Sequence, residues 1–202
     1  MLLFSIFLAK KLDLNVEMPV TYLSAIQLKG YYNKNRLTVS TEDLPNQKVS
    51  IYSTRPPFEN GWIWVVEPPF DDISIARQNV TCGSNISLKN PHTNYYLSVR
   101  KSNRGSKKVS VIPTTHRLGE NEQWTVGCEI SNSSWIRDME ITLQNVKTGC
   151  FLTTGVKTHW PNDETKYNVT CGGISSDAIW AAAEGIYFGP PLQEEKMFDD
   201  NL

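Results

Sequence analysis

Residues 48–54 read KVSIYST and residues 108–114 read KVSVIPT, an offset of sixty. A period of that size marks a chain built from copies of one supersecondary unit, and a true repeat keeps it at other landmarks. Ile26 and Leu28 in IQLKG match Ile86 and Leu88 in ISLKN, then Ile141 and Leu143 in ITLQN. Leu37, Leu97 and Leu152 form a second landmark, Val49, Val109 and Val169 a third, and Trp64, Trp124 and Trp180 a fourth. Copy one maps onto copy two with a constant shift of sixty, whereas copy three needs shifts of 55, 55, 60 and 56. The chain is a threefold repeat, with the length differences of the third copy falling between landmarks.

Each landmark sits where apolar and polar residues alternate, the pattern of a strand with one buried face. The segments between them carry turn chemistry: NKN, LPNQ, NPHTN, SNRGS, KTG and PND. Only IWAAAEGI around Trp180 shows some helical propensity. Four strands per copy and three copies predict twelve strands, and closing three copies around one axis removes most exposed sheet edges. The expected fold is therefore all-β, a β-trefoil. The boundaries read as an N-terminal segment 1–20, a trefoil 21–189 with repeats near 21–70, 79–130 and 135–188, and an acidic tail 190–202.

Composition agrees with one folded domain. The 202 residues are 40% hydrophobic and 20% charged, which argues against wholesale disorder. A net charge of -1 supplies no long-range attraction to nucleic acid or an anionic membrane. The apolar block MLLFSIFLA at the N-terminus is about half the length of a membrane-spanning helix. It reads as either a short secretory signal or a buried strand.

NVTCGSNISLKNPHTNYYLSVR, followed by NEQWTVGC, resembles the MIR repeat, and WIRDMEITLQNVKTGCFLTT with IWAAAEGIYF is similar to the last repeat of the stromal cell-derived factor 2 family. The resemblance runs from about Thr21 to Phe188, and copy one departs from it by having YLSAIQL where copy two has TCGSNISL. It implies a β-trefoil and a non-enzymatic role in the lumen of the endoplasmic reticulum. There the family's members are accessory subunits of Hsp70 and J-protein chaperones in protein folding or glycoprotein quality control. Family members carry a C-terminal retrieval signal. This chain ends Asp199-Asp200-Asn201-Leu202, with Asn201 in place of the acidic residue, so retrieval signal and acidic tail both stand as readings.

Four cysteines, Cys82, Cys128, Cys150 and Cys171, lack the C-x-x-C spacing of a zinc knuckle. If Leu152 faces Val169 across a hairpin, Cys150 and Cys171 are directly opposite each other. Cys82 opens the first strand of copy two and Cys128 follows its last, so those ends meet when the unit folds back. The expected disulfides are Cys82–Cys128 and Cys150–Cys171, which persist in an oxidising compartment; four free thiols in a cytosolic trefoil are the alternative. Sequons at Asn79, Asn85, Asn132 and Asn168 are candidate glycosylation sites, though an Asn- and Ser/Thr-rich chain generates some by chance.

No catalytic motif, cofactor fingerprint or metal-ligand spacing emerges: His92, His116 and His159 read as loop histidines, and the Asp71-Asp72 and Glu194-Glu195 pairs as solvated linker and tail. The basic run Arg100, Lys101, Arg104, Lys107 and Lys108 falls on a hairpin between Leu97 and Val109. It is either a solvated tip or a docking point for an acidic partner or anionic glycan. Trp62, Trp135 and Trp160 do not recur between copies; each either covers a barrel end or stacks on a sugar face, which keeps a secreted glycan-binding trefoil as the second reading.

Overall fold

The computed structural model describes residues 18–39, 49–52, 60–101, 107–113, 118–158 and 166–186. Twelve strands lie within them, four per repeat. They are β1 Ala25–Gly30, β2 Arg36–Val39, β3 Val49–Tyr52 and β4 Ile63–Glu67 in the first, and β5 Asn85–Asn90, β6 Tyr95–Lys101, β7 Lys107–Pro113 and β8 Gln123–Gly127 in the second. The third holds β9 Thr142–Asn145, β10 Phe151–Thr158, β11 Lys166–Gly172 and β12 Trp180–Ile186. The segment with helical propensity is thus a strand. Its alanines Ala181, Ala182 and Ala183 are buried against β1, and tertiary packing overrides local preference.

The first and last strands of the repeats close a six-strand barrel. β1 pairs with β4, β4 with β5, β5 with β8, β8 with β9, and β12 with β1, all antiparallel. An isolated bridge between Ile141 and Trp180 completes the ring. The middle strands form three hairpins, β2–β3, β6–β7 and β10–β11. This is a β-trefoil. Ile26, Ile86 and Ile141, Leu28, Leu88 and Leu143, and Leu37, Leu97 and Leu152 all lie in one core.

The repeated tryptophans do more than fill volume. Trp64, Trp124 and Trp180 are fully buried. Their indole Nε1 atoms donate to the carbonyl oxygens of Leu37, Leu97 and Leu152 at 2.9, 3.2 and 2.8 Å. The fourth landmark is thereby bonded to the second in every repeat. At the axis the backbone closes a three-membered ring: Val20 N donates to Trp135 O at 2.7 Å, Trp135 N to Val80 O at 2.8 Å, and Val80 N to Val20 O at 2.9 Å. The left-handed backbone recurs too, at Leu23, Gly83 and Asp138 with φ of 74°, 98° and 63°, and at Lys34, Asn94 and Gly149 with φ of 60°, 58° and 66°. Non-glycine residues are held there by the surrounding turn rather than by their own preference.

Asn90 and Asn145 are equivalent buried side chains that tie each β-turn to the neighbouring strand. Asn90 Nδ2 donates to Gly61 O and Ile63 O, both at 2.9 Å, while its Oδ1 accepts from Thr93 N and Oγ1 at 3.0 Å. Asn145 repeats the arrangement with Asn121 O, Gln123 O and Thr148. In the first repeat the position is Gly30, where a Cβ would meet Asn33 Oδ1 at 2.2 Å. Asn145→Ala removes two hydrogen bonds to the carbonyls of Asn121 and Gln123, which each keep a backbone donor, and leaves the turn N–H of Thr148 without its acceptor. Urea unfolding should show a loss of about 2 kcal/mol, with a similar loss for Asn90→Ala.

The hairpin register corrects one expectation. Leu152 faces Cys171, and Val169 faces Thr154. The same offset holds elsewhere: Leu37 faces Ile51 and Leu97 faces Val111, while Val49 and Val109 oppose Val39 and Val99. Alternation fixes which face a side chain occupies but not a slip of two residues, which leaves every face unchanged.

Candidate interaction surfaces

Two disulfides staple the second and third repeats. Cys82–Cys128 joins the approach to β5 with the exit from β8, with Cα atoms 5.6 Å apart. Cys150–Cys171 joins diagonal rather than directly opposite positions, a consequence of the two-residue register difference, and its Cα atoms are 5.4 Å apart. Both separations lie in the range a disulfide spans. No cysteine is left free.

The basic run maps onto the β6–β7 hairpin. Arg100 pairs with Lys108 and Lys101 with Lys107 across the two strands, and Arg100 is exposed. Arg104 and the rest of the tip, with the side chains of Lys101, Lys107 and Lys108, lie outside the described residues. Like charges in directly opposed register are unfavourable unless a counter-charge arrives. Among the sequons, Asn79, Asn132 and Asn168 are exposed. Asn85 is half-buried with its Oδ1 accepting from Thr125 Oγ1 at 2.8 Å, and Ser87 of the same sequon is buried beneath Gln123.

The unrepeated tryptophans separate. Trp135 is fully buried at the axis, in the place held by Val20 and Val80 in the other repeats, so it covers the barrel end and offers no face to a sugar. Trp62 is half-buried with the Arg36 guanidinium 5.9 Å from its ring centroid, and Trp160 lies outside the described residues. His92 is exposed, while His116 and His159 lie outside the described residues. Among the described residues Glu122 is the buried charged side chain, and both its oxygens serve structure, accepting from Ser98 Oγ at 2.7 Å and Gly119 N at 2.9 Å. No group of three His, Cys, Asp or Glu among the described residues is placed to hold a metal, and no described helix is long and apolar enough to cross a membrane.

A feature absent from the sequence reading is a cavity of about 520 Å³ between the second and third repeats, lined by Cys128, Glu129, Glu140, Ile141, Ile174 and Ile179 among others. Ile174 stands 70% exposed on its wall. The signal was in the spacing: the third and fourth landmarks are 15 residues apart in the first two copies but 11 apart in the third. Where the longer link of the second repeat buries Leu118 against Tyr96, the shorter one leaves Ile174 in solvent. Beside the cavity, the charge of Glu140 pushes the Tyr31 phenol above its ordinary pKa, with desolvation and a hydrogen bond adding to the effect.

No protein-family model matches the chain. It is 25% identical over 191 residues to a stromal cell-derived factor 2-like protein of Arabidopsis thaliana, covering 87% of this chain and 82% of that one. Among solved structures, the SDF2-like protein from Arabidopsis thaliana superimposes with a TM-score of 0.73 at 22% identity, over 86% of this chain and 99% of that one. The S. cerevisiae protein O-mannosyltransferase Pmt1-Pmt2 complex bound to the sugar donor matches with a TM-score of 0.68 at 20% identity, over 93% of this chain and 28% of that one. The chain resembles a stromal cell-derived factor 2-like protein over most of its length, and it shares its fold with these solved structures.

Proposed function

We propose that the chain is a non-enzymatic accessory of protein folding or glycoprotein quality control in the lumen of the endoplasmic reticulum, working with luminal Hsp70 and J-protein chaperones. The observation that carries this reading is the resemblance to a stromal cell-derived factor 2-like protein across most of both chains. Two disulfides and no free thiol support an oxidising compartment. Exposed sequons at Asn79, Asn132 and Asn168 are compatible with entry into the secretory pathway. The glycan-binding alternative loses Trp135 as a stacking residue, because that indole is enclosed at the axis.

Crosslinked pull-down of the tagged chain from its own cells, analysed without reduction by mass spectrometry, tests the proposal. Luminal Hsp70 and J-proteins should co-purify, and peptides linked through Cys82–Cys128 and Cys150–Cys171 should appear. Recovery of cytosolic partners with alkylatable free thiols would overturn the compartment and the function together.

A further inference from the structure

The three repeats build three equivalent seams between the first and last strand of a unit, and one of them differs. The first seam holds three residue pairs, Ala25 with Val65, Ile26 with Trp64 and Gln27 with Ile63. The second holds the matching three, Asn85 with Thr125, Ile86 with Trp124 and Ser87 with Gln123. In the third only the central pair survives, the bridge between Ile141 and Trp180. The cavity opens at that seam, with Ile141 and Ile179 in its wall. A volume of about 520 Å³ is within the ordinary range for a ligand site.

Its chemistry is one-sided. Glu129 and Glu140 are the charged lining residues, both exposed, and among the described residues neither pairs with a cation. The neighbouring Asp138 shows the contrast, since it is compensated by Lys29 at 2.6 Å and Arg137 at 3.3 Å. The same lining includes the apolar side chains of Met139, Ile141, Ile174 and Ile179, of which Ile174 is the most exposed. An occupant that satisfies both features carries positive charge and an aliphatic group together.

We propose that this third-seam groove docks an extended polypeptide segment in which a lysine or arginine stands beside an aliphatic side chain. The aliphatic group lies against Ile174 and Ile179, and the cation faces Glu129 and Glu140. The choice of a polypeptide as the bearer of this chemistry rests on the folding-accessory reading. The surface differs in sign from the basic β6–β7 hairpin, so the two select different partners.

The test uses purified, oxidised, full-length protein and three fluorescein-labelled peptides, read by anisotropy. The first is Gly-Ser-Lys-Leu-Arg-Ile-Ser-Gly, the second replaces Lys and Arg with Glu, and the third replaces Leu and Ile with Ser. The first peptide should bind at least about tenfold more tightly than either other, and its affinity should fall as salt rises. Glu129→Gln with Glu140→Gln should remove most of that salt dependence, and Ile174→Ser should weaken the first peptide at every salt concentration. All three side chains are exposed, so the variants should keep the wild-type unfolding midpoint. Equal binding of the basic and acidic peptides, no binding of the basic peptide, or wild-type affinity in the double variant would overturn the groove. Because the readout needs no cell, it fails or succeeds separately from the chaperone pull-down.

Discussion

Replacing Trp124 with alanine is expected to lower the free energy of unfolding by about 3–5 kcal/mol, against the roughly 5–15 kcal/mol that an ordinary domain possesses. The side chain is fully enclosed, and its removal leaves a large hole at the meeting of β8 with the second hairpin. The loss has a second part. Leu97 O accepts from Trp124 Nε1 at 3.2 Å, and without the indole that buried carbonyl has lost its donor. Trp124→Phe separates the two contributions: it restores most of the packing but not the hydrogen bond, and should still cost about 1–3 kcal/mol. Trp64→Ala and Trp180→Ala should fall in the same range, because the same bond recurs to Leu37 and Leu152 at 2.9 and 2.8 Å. Guanidinium unfolding of the four variants decides it. A loss below about 1 kcal/mol for Trp124→Ala would mean that the indole is not the tie between barrel and hairpin that the threefold geometry makes it.

The parts of this fold that depend on side-chain face were legible in the sequence, and those that depend on offset were not. Alternation placed Leu37, Leu97 and Leu152 inside, and they are. The same alternation cannot distinguish Leu152 opposite Val169 from Leu152 opposite Cys171, because both leave every residue on its face. The cysteine partners were still found, since a disulfide tolerates diagonal as well as direct neighbours at similar Cα spacing. Recurrence identified Trp64, Trp124 and Trp180 as core. For Trp135 recurrence left two readings, a stacking face or a cover for a barrel end, and the second holds: its counterparts Val20 and Val80 share its backbone role but not its shape. The groove was hidden for another reason. Glu129, Glu140 and Ile174 are unremarkable singly in the sequence, and the space they line lies at the one seam that holds a single residue pair.

Removing the disulfides should have an effect as large as removing a tryptophan, and the two bridges should differ. Cys82–Cys128 spans 46 residues and Cys150–Cys171 spans 21. On the loop-closure account these lengths correspond to about 4 and about 3.3 kcal/mol of unfolded-state entropy removed. The location of each bridge pushes the same way. Cys150–Cys171 lies within the β10–β11 hairpin, whose ladder already holds its strands together. Cys82–Cys128 ties together the two ends of the whole second repeat, next to the three-pair β5–β8 seam. Cys82→Ser with Cys128→Ser should therefore cost about 4 kcal/mol, and Cys150→Ser with Cys171→Ser about 3. Thermal melts with and without dithiothreitol should show a combined loss of about 7 kcal/mol, comparable to the whole stability of a typical domain. A reduced chain whose melting midpoint stays within a few degrees of the oxidised one would sink this expectation. It would also take away the physical reason for placing the protein where disulfides persist, since a trefoil that stands without its bridges has no need of an oxidising lumen.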